Sequence, residues 1–135
     1  MFNGFKHGKM DVNNIEINFV LSGQGLPLLL LHGYPQTHII WRKVAPRLAQ
    51  MFNVVASNLR GYGNSSKPAG QPDHSNYSKR TMAFDQVELM HKLGFEHFLL
   101  CGHDRGARVA HRLAVDYPER VEKLVVLDVA PTRAM

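Results

Sequence analysis

Phe98-Leu99-Leu100-Cys101-Gly102-His103-Asp104-Arg105-Gly106 is an apolar run that ends in Gly-x-Asp-x-Gly. The pattern predicts a nucleophile elbow, a sharp strand-to-helix turn that lifts its middle side chain into solvent at the end of a sheet. The flanking glycines are needed because a larger side chain would strike the opposing backbone. The residue lifted here is Asp104, where a serine is usual, and that changes the chemistry available. A serine attacking an alkyl carbon would give an ether, which is a dead end. A carboxylate gives an alkyl ester, which water can later cleave at the carbonyl. The elbow therefore points to displacement at carbon, of halide or of an epoxide oxygen. On its own the motif is equally open to a plainer reading, an aspartate in a strand–helix loop acting as a helix N-cap.

Working outward, four apolar runs recur at strand–helix spacing: residues 28–31, 54–56, 98–101 and 124–127. Each reads as a short strand buried on both faces. Helical patterns lie between them at residues 40–50, 79–93 and 105–116, the last stopped by Tyr117-Pro118. Residues 11–21 alternate around Asn13-Asn14 and predict an antiparallel hairpin at a sheet edge. Residues 61–77, rich in Gly, Ser, Asn and Pro, read as a long loop. The expected fold class is α/β, a mostly parallel sheet with helices on both sides and an N-terminal hairpin. Each parallel strand ends in something polar or glycine-rich: His32-Gly33-Tyr34-Pro35, Asn58-Leu59-Arg60-Gly61, the elbow, and Asp128. Open α/β sheets bind ligands at the carboxyl ends of their strands, so four such ends on one rim make a site.

Bulk properties narrow the class. A chain of 135 residues can bury a real core within one domain. The net charge of +5 comes from Lys and Arg scattered along the chain, without runs interleaved with aromatics, so nucleic acid is not an expected partner. The greasiest stretch, residues 26–31, is interrupted by Pro27 and far too short for a membrane span. No apolar segment follows the basic N-terminus, so no signal peptide is read. The lone Cys101 fits a reducing, cytoplasmic setting. With no His-Glu-x-x-His and no cysteine pair, neither a metal nor another cofactor is expected.

The whole pattern resembles the α/β-hydrolase fold and, more narrowly, the haloacetate (fluoroacetate) dehalogenases. The residues that carry the likeness are Leu29-Leu30-Leu31-His32-Gly33-Tyr34-Pro35-Gln36-Thr37, Leu59-Arg60-Gly61-Tyr62-Gly63, and the elbow extended to Arg108. Haloalkane dehalogenases and many epoxide hydrolases carry Trp directly after the nucleophile, whereas this chain has Arg105, with Arg108 one turn on. Two cations in the first turn oppose the positive end of the helix dipole. A bound carboxylate would resolve that conflict.

The resemblance implies that Asp104 is the nucleophile and that Arg105 and Arg108 grip the carboxylate of a haloacid. It makes the backbone N–H groups of Tyr34 and Arg105 the oxyanion hole, and Asp128 the acid that orients a catalytic histidine. It also implies a small halogenated carboxylate as substrate, with a homodimer as an option for a full-length form. Asn58 stands where this family usually has Asp, and Ala107 replaces a second glycine.

In that family the histidine follows its acid, yet His111 is the last of the eight histidines and precedes Asp128. The helical cap is missing too. Residues 1–135 are therefore expected to be the N-terminal part of one α/β-hydrolase domain, truncated before the cap and last strands. Three other functions stay open: an epoxide hydrolase, a non-catalytic remnant that binds an anion or a partner protein, and, more distantly, nucleic-acid binding through Arg105, Arg108 and Arg112.

Overall fold

The computed structural model describes residues 2, 4–34, 36–70 and 77–127. Strands β1 (Lys6–Val12) and β2 (Ile15–Ser22) form the expected hairpin. Its two-residue turn, Asn13-Asn14, has φ of 50° and 65°, the doubly left-handed conformation that matches strand twist and suits asparagine. The hairpin starts five residues earlier than the alternation suggested. Most of β1 is exposed, so burial leaves little apolar pattern there to read.

Strands β3 (Pro27–Leu31), β4 (Asn53–Ser57), β5 (Phe98–His103) and β6 (Val121–Leu127) follow as expected. So do helices α2 (Lys79–Lys92) and α3 (Arg105–Asp116). The helix expected at residues 40–50 is instead two short pieces, a 3-10 turn (His38–Trp41) and the single-turn α1 (Ala45–Leu48). Pro46 explains the break. It has no N–H to bond back into a preceding turn, so it is tolerated only where a helix begins.

The sheet order is β1-β2-β4-β3-β5-β6, with β4, β3, β5 and β6 mutually parallel and β1 and β2 antiparallel. One face packs Leu29, Leu31, Val55 and Leu100 against Met82, Val87, Val109 and Leu113 of α2 and α3. The other packs Val20, Leu30, Val54 and Ala56 against Trp41 and Ala45. From β3 the chain goes first to β4 on one side and then returns to β5 on the other. The strand order thus reverses between β3 and β5, the position at which open α/β sheets bind their ligands.

β6 corrects one expectation. It is the last described strand of the sheet and only half covered, with Val125 and Leu127 52% and 41% exposed. They border an apolar groove of about 440 Å³ that also touches Leu30, Trp41 and Cys101. An edge strand with one open face carries the same apolar residues as a doubly buried one, so hydropathy alone does not separate the two.

Candidate active site

Asp104 sits at the β5–α3 junction with φ 55° and ψ −118°, a strained conformation for a residue with a side chain. Its surroundings enforce it. A Cβ on Gly102 would lie 2.4 Å from the Gly106 carbonyl oxygen, and one on Gly106 would lie 2.3 Å from the carbonyl oxygen of His32. α3 can therefore fold back against β5 only because Gly102 lacks a side chain, and approach β3 only because Gly106 does. Asp104 N–H also donates to the Leu127 carbonyl at 3.0 Å, which ties the elbow to the end of β6.

From the loop after β3, Tyr34 N–H donates to Asp104 Oδ2 at 2.9 Å. This contact spans 70 residues of chain. It is the largest influence on the Asp104 carboxyl and pulls it below its ordinary value. Partial desolvation opposes that pull, while the Arg105 N–H and the charges of His103 and Arg105 add to it. Oδ2 is thus held by the Tyr34 N–H, and the carboxylate is anionic at neutral pH.

Three cations gather at this end of the sheet, Lys79 within electrostatic reach of Arg105 and Arg108. Arg105 Nη1 donates to Tyr62 Oη at 2.9 Å, and its guanidinium carbon lies 4.8 Å from the centre of the Tyr34 ring. Arg108 lies one turn further along α3. Lys79, at the first position of α2, is pushed below its ordinary value, chiefly by burial and then by the charges of Arg105 and Arg108. Positive charge from two helices thus concentrates at this end of the sheet.

His32 braces this end of the sheet. It is fully buried at the end of β3. Nδ1–H donates to the Gly33 carbonyl at 2.9 Å, and Nε2 accepts from Leu59 N–H at 3.0 Å. The ring thereby fastens the ends of β3 and β4 together, and burial lowers its pKa from 6.5 to about 4. The sign follows from linkage. Between pH 6.5 and 4 the unfolded chain takes up a proton that the folded ring refuses, so stability falls as pH falls. The expected loss between pH 7 and 4.5 is roughly 2–3 kcal/mol from this group, with buried His38 acting in the same direction. Urea unfolding at the two pH values checks it. His32→Gln should be less stable at pH 7 yet lose clearly less on acidification, and an equal loss in both proteins would refute the assignment.

The structure brings together Asp104, Arg105 and the Tyr34 N–H, with Arg108 one turn away. Asp128 lies outside the described residues. The sequence reading gave no role to Tyr62, Lys79 or Gln36, all of which bear on this rim. Gln36 Oε1 accepts from Gly33 N–H at 3.2 Å and lies 3.2 Å from His103 Nδ1. Tyr62 lay within a motif already singled out, but only the folded chain sets its hydroxyl against Arg105. Also unread was the buried pair behind the site, in which Arg60 Nε and Nη2 donate to the two oxygens of Asp85 at 2.7 and 2.8 Å. Among the described residues no group of three or more His, Cys, Asp or Glu could hold a metal ion, and no helix is long and apolar enough to cross a membrane.

A strained residue between two close-packed glycines, on the rim where a parallel sheet reverses its order, is the architecture of the α/β hydrolases. The model of the α/β hydrolase fold family matches residues 27–135, and the chain belongs to that family. Fluoroacetate dehalogenase from Burkholderia sp is 56% identical over 135 residues, all of this chain and 44% of that protein. Soluble epoxide hydrolase from Corynebacterium sp. (strain C12) is 42% identical over 125 residues, 93% of this chain and 42% of that protein. The crystal structure of a candidate α/β hydrolase from Nostoc sp PCC 7120 superposes with a TM-score of 0.97 at 62% identity, covering 99% of this chain and 46% of that one. The chain therefore spans less than half the length of these relatives.

Proposed function

We propose that this chain carries the nucleophile and the carboxylate-binding arginines of a hydrolase that removes halide from a haloacetate-type 2-haloacid. The observation behind the proposal is an ionised Asp104 at a strained elbow, fixed through Oδ2 and flanked by Arg105 and Arg108. In the first step, Asp104 Oδ1 attacks the α-carbon of the haloacid. A C–O bond forms, the carbon–halogen bond breaks, and halide leaves with its electron pair. Arg105 and Arg108 hold the substrate carboxylate, which orients the α-carbon toward Oδ1. Oδ2 then becomes the carbonyl oxygen of the ester. In the second step water attacks Cγ, and the Tyr34 and Arg105 N–H groups stabilise the charge that develops on Oδ2. A histidine oriented by Asp128 would take the water's proton. The intermediate collapses by breaking Cγ–Oδ1, the departing alkoxide takes the proton back from the histidine to give a 2-hydroxy acid, and the water's second proton passes to solvent as the Asp104 carboxylate is restored.

The similarity to a soluble epoxide hydrolase favours a second reading, attack of the same aspartate on an epoxide carbon. The two readings differ in what the cations are for, since an epoxide has no carboxylate to bind. The test is covalent labelling of Asp104 by bromoacetate, by neutral bromoacetamide and by an aryl epoxide. Peptide mass spectrometry resolves Asp104 from alkylated Cys101 and histidines. Bromoacetate should react fastest, and Arg108→Ala should slow it roughly 10- to 100-fold, the value of one charge-assisted contact. Equal labelling by all three reagents, unaltered by Arg108→Ala, would rule the haloacid reading out.

A further inference from the structure

An arginine that folded onto a neighbouring nucleophilic carboxylate would quench it as an ion pair. Here Arg105 does not. Among the described residues it makes no ion pair with Asp104, and its charge is the least of the influences that lower that carboxyl. Its guanidinium is bonded to Tyr62 Oη at 2.9 Å and lies over the Tyr34 ring at 4.8 Å. Tyr62 is fixed in turn. Its ring stands edge-on to the buried His32, with centroids 5.1 Å apart, and edge-on to Tyr34 at 6.3 Å. The three aromatic rings thus form a packed corner that begins at the buried His32 and ends at the guanidinium.

We propose that Tyr62 is a specificity-determining positioning residue, whose hydroxyl, together with the Tyr34 ring, holds the Arg105 guanidinium away from Asp104 and available to the anionic group of the substrate. The inference rests on the haloacid reading and adds to it the device that keeps nucleophile and anion receptor separate. The geometry suits both tasks. Tyr62 Oη accepts from Arg105 but takes no charge from it, so the guanidinium keeps its full attraction for a carboxylate. The Tyr34 ring occupies one face of the guanidinium, leaving its remaining edge donors for a planar oxyanion. Asp104, supplied with backbone donors instead, keeps Oδ1 free of an ion pair.

The experiment measures Asp104 labelling by bromoacetate and bromoacetamide in the 135-residue chain, as a ratio of rates and as a function of pH. Tyr62→Phe removes only the hydroxyl and keeps the edge-on packing. The ratio should fall about tenfold. The acid limb of the labelling profile should move to lower pH as Arg105 closes on the carboxylate. A merely structural tyrosine would move neither. Tyr34→Leu, which keeps the backbone N–H but removes the ring, should lower the ratio as well, and it carries the test if Tyr62→Phe does not fold. A wild-type chain without preference for bromoacetate would sink the haloacid reading itself. A preference that survives both substitutions, in folded proteins, would overturn the positioning role alone.

Discussion

Gly106→Ala is expected to cost more than about 4 kcal/mol, enough to abolish cooperative folding of a domain whose total stability is of order 5–15 kcal/mol. The new Cβ would fall 2.3 Å from the His32 carbonyl oxygen and 2.4 Å from that of Leu31. Neither oxygen can retreat, because β3 is held between β4 and β5 in the middle of the sheet. Relief would require α3 to lift off the strand, which uncovers Val109, Ala110 and Leu113 and takes the elbow apart. Gly94→Ala is the control. Gly94 has a positive φ of 91° but nothing within 4 Å of a built Cβ, so it should cost only about 1 kcal/mol of backbone strain. Circular dichroism and urea unfolding separate the two. Comparable stabilities for both variants would mean that the close approach of α3 to β3 is not what the elbow glycines provide.

The second large effect is chemical. Asp104→Asn should eliminate bromoacetate labelling at position 104 while leaving the fold intact. Asparagine matches aspartate in size and tolerates positive φ better than most residues. Its amide, however, is a far weaker nucleophile than a carboxylate that Tyr34 N–H keeps ionised. The wild-type 135-residue chain should take up one carboxymethyl group on Asp104. The ester should then persist, because no histidine follows Asp128 in these residues to activate water. Loss of a base that serves only the second step stops turnover without preventing attack. Mass spectrometry and halide release together decide it. Sustained halide release by the wild type, or labelling that survives in Asp104→Asn, would each contradict the assigned chemistry.

Features that depend on neighbours in sequence were legible before the fold was known. Glycine spacing marked the elbow, apolar runs marked β3 to β6, and Asn13-Asn14 marked a hairpin turn. These follow from local backbone sterics and from side-chain periodicity, which any stretch of chain expresses by itself. The arginines at the start of α3 were conspicuous for the same reason, as a conflict between charge and helix dipole within one turn. Tertiary structure decided everything that depends on which strand lies beside which. The placing of β3 next to β5 brings Tyr34 N–H within 2.9 Å of Asp104, and the loop after β4 brings Tyr62 to Arg105. It also leaves one face of β6 open, so that Val125 and Leu127 are exposed despite a core-like sequence. Such pairings are fixed by the packing of the whole sheet and have no local signature. The elbow that carries Asp104 was therefore written in five consecutive residues, whereas the contact of Tyr62 with Arg105 exists only once the strands are in order.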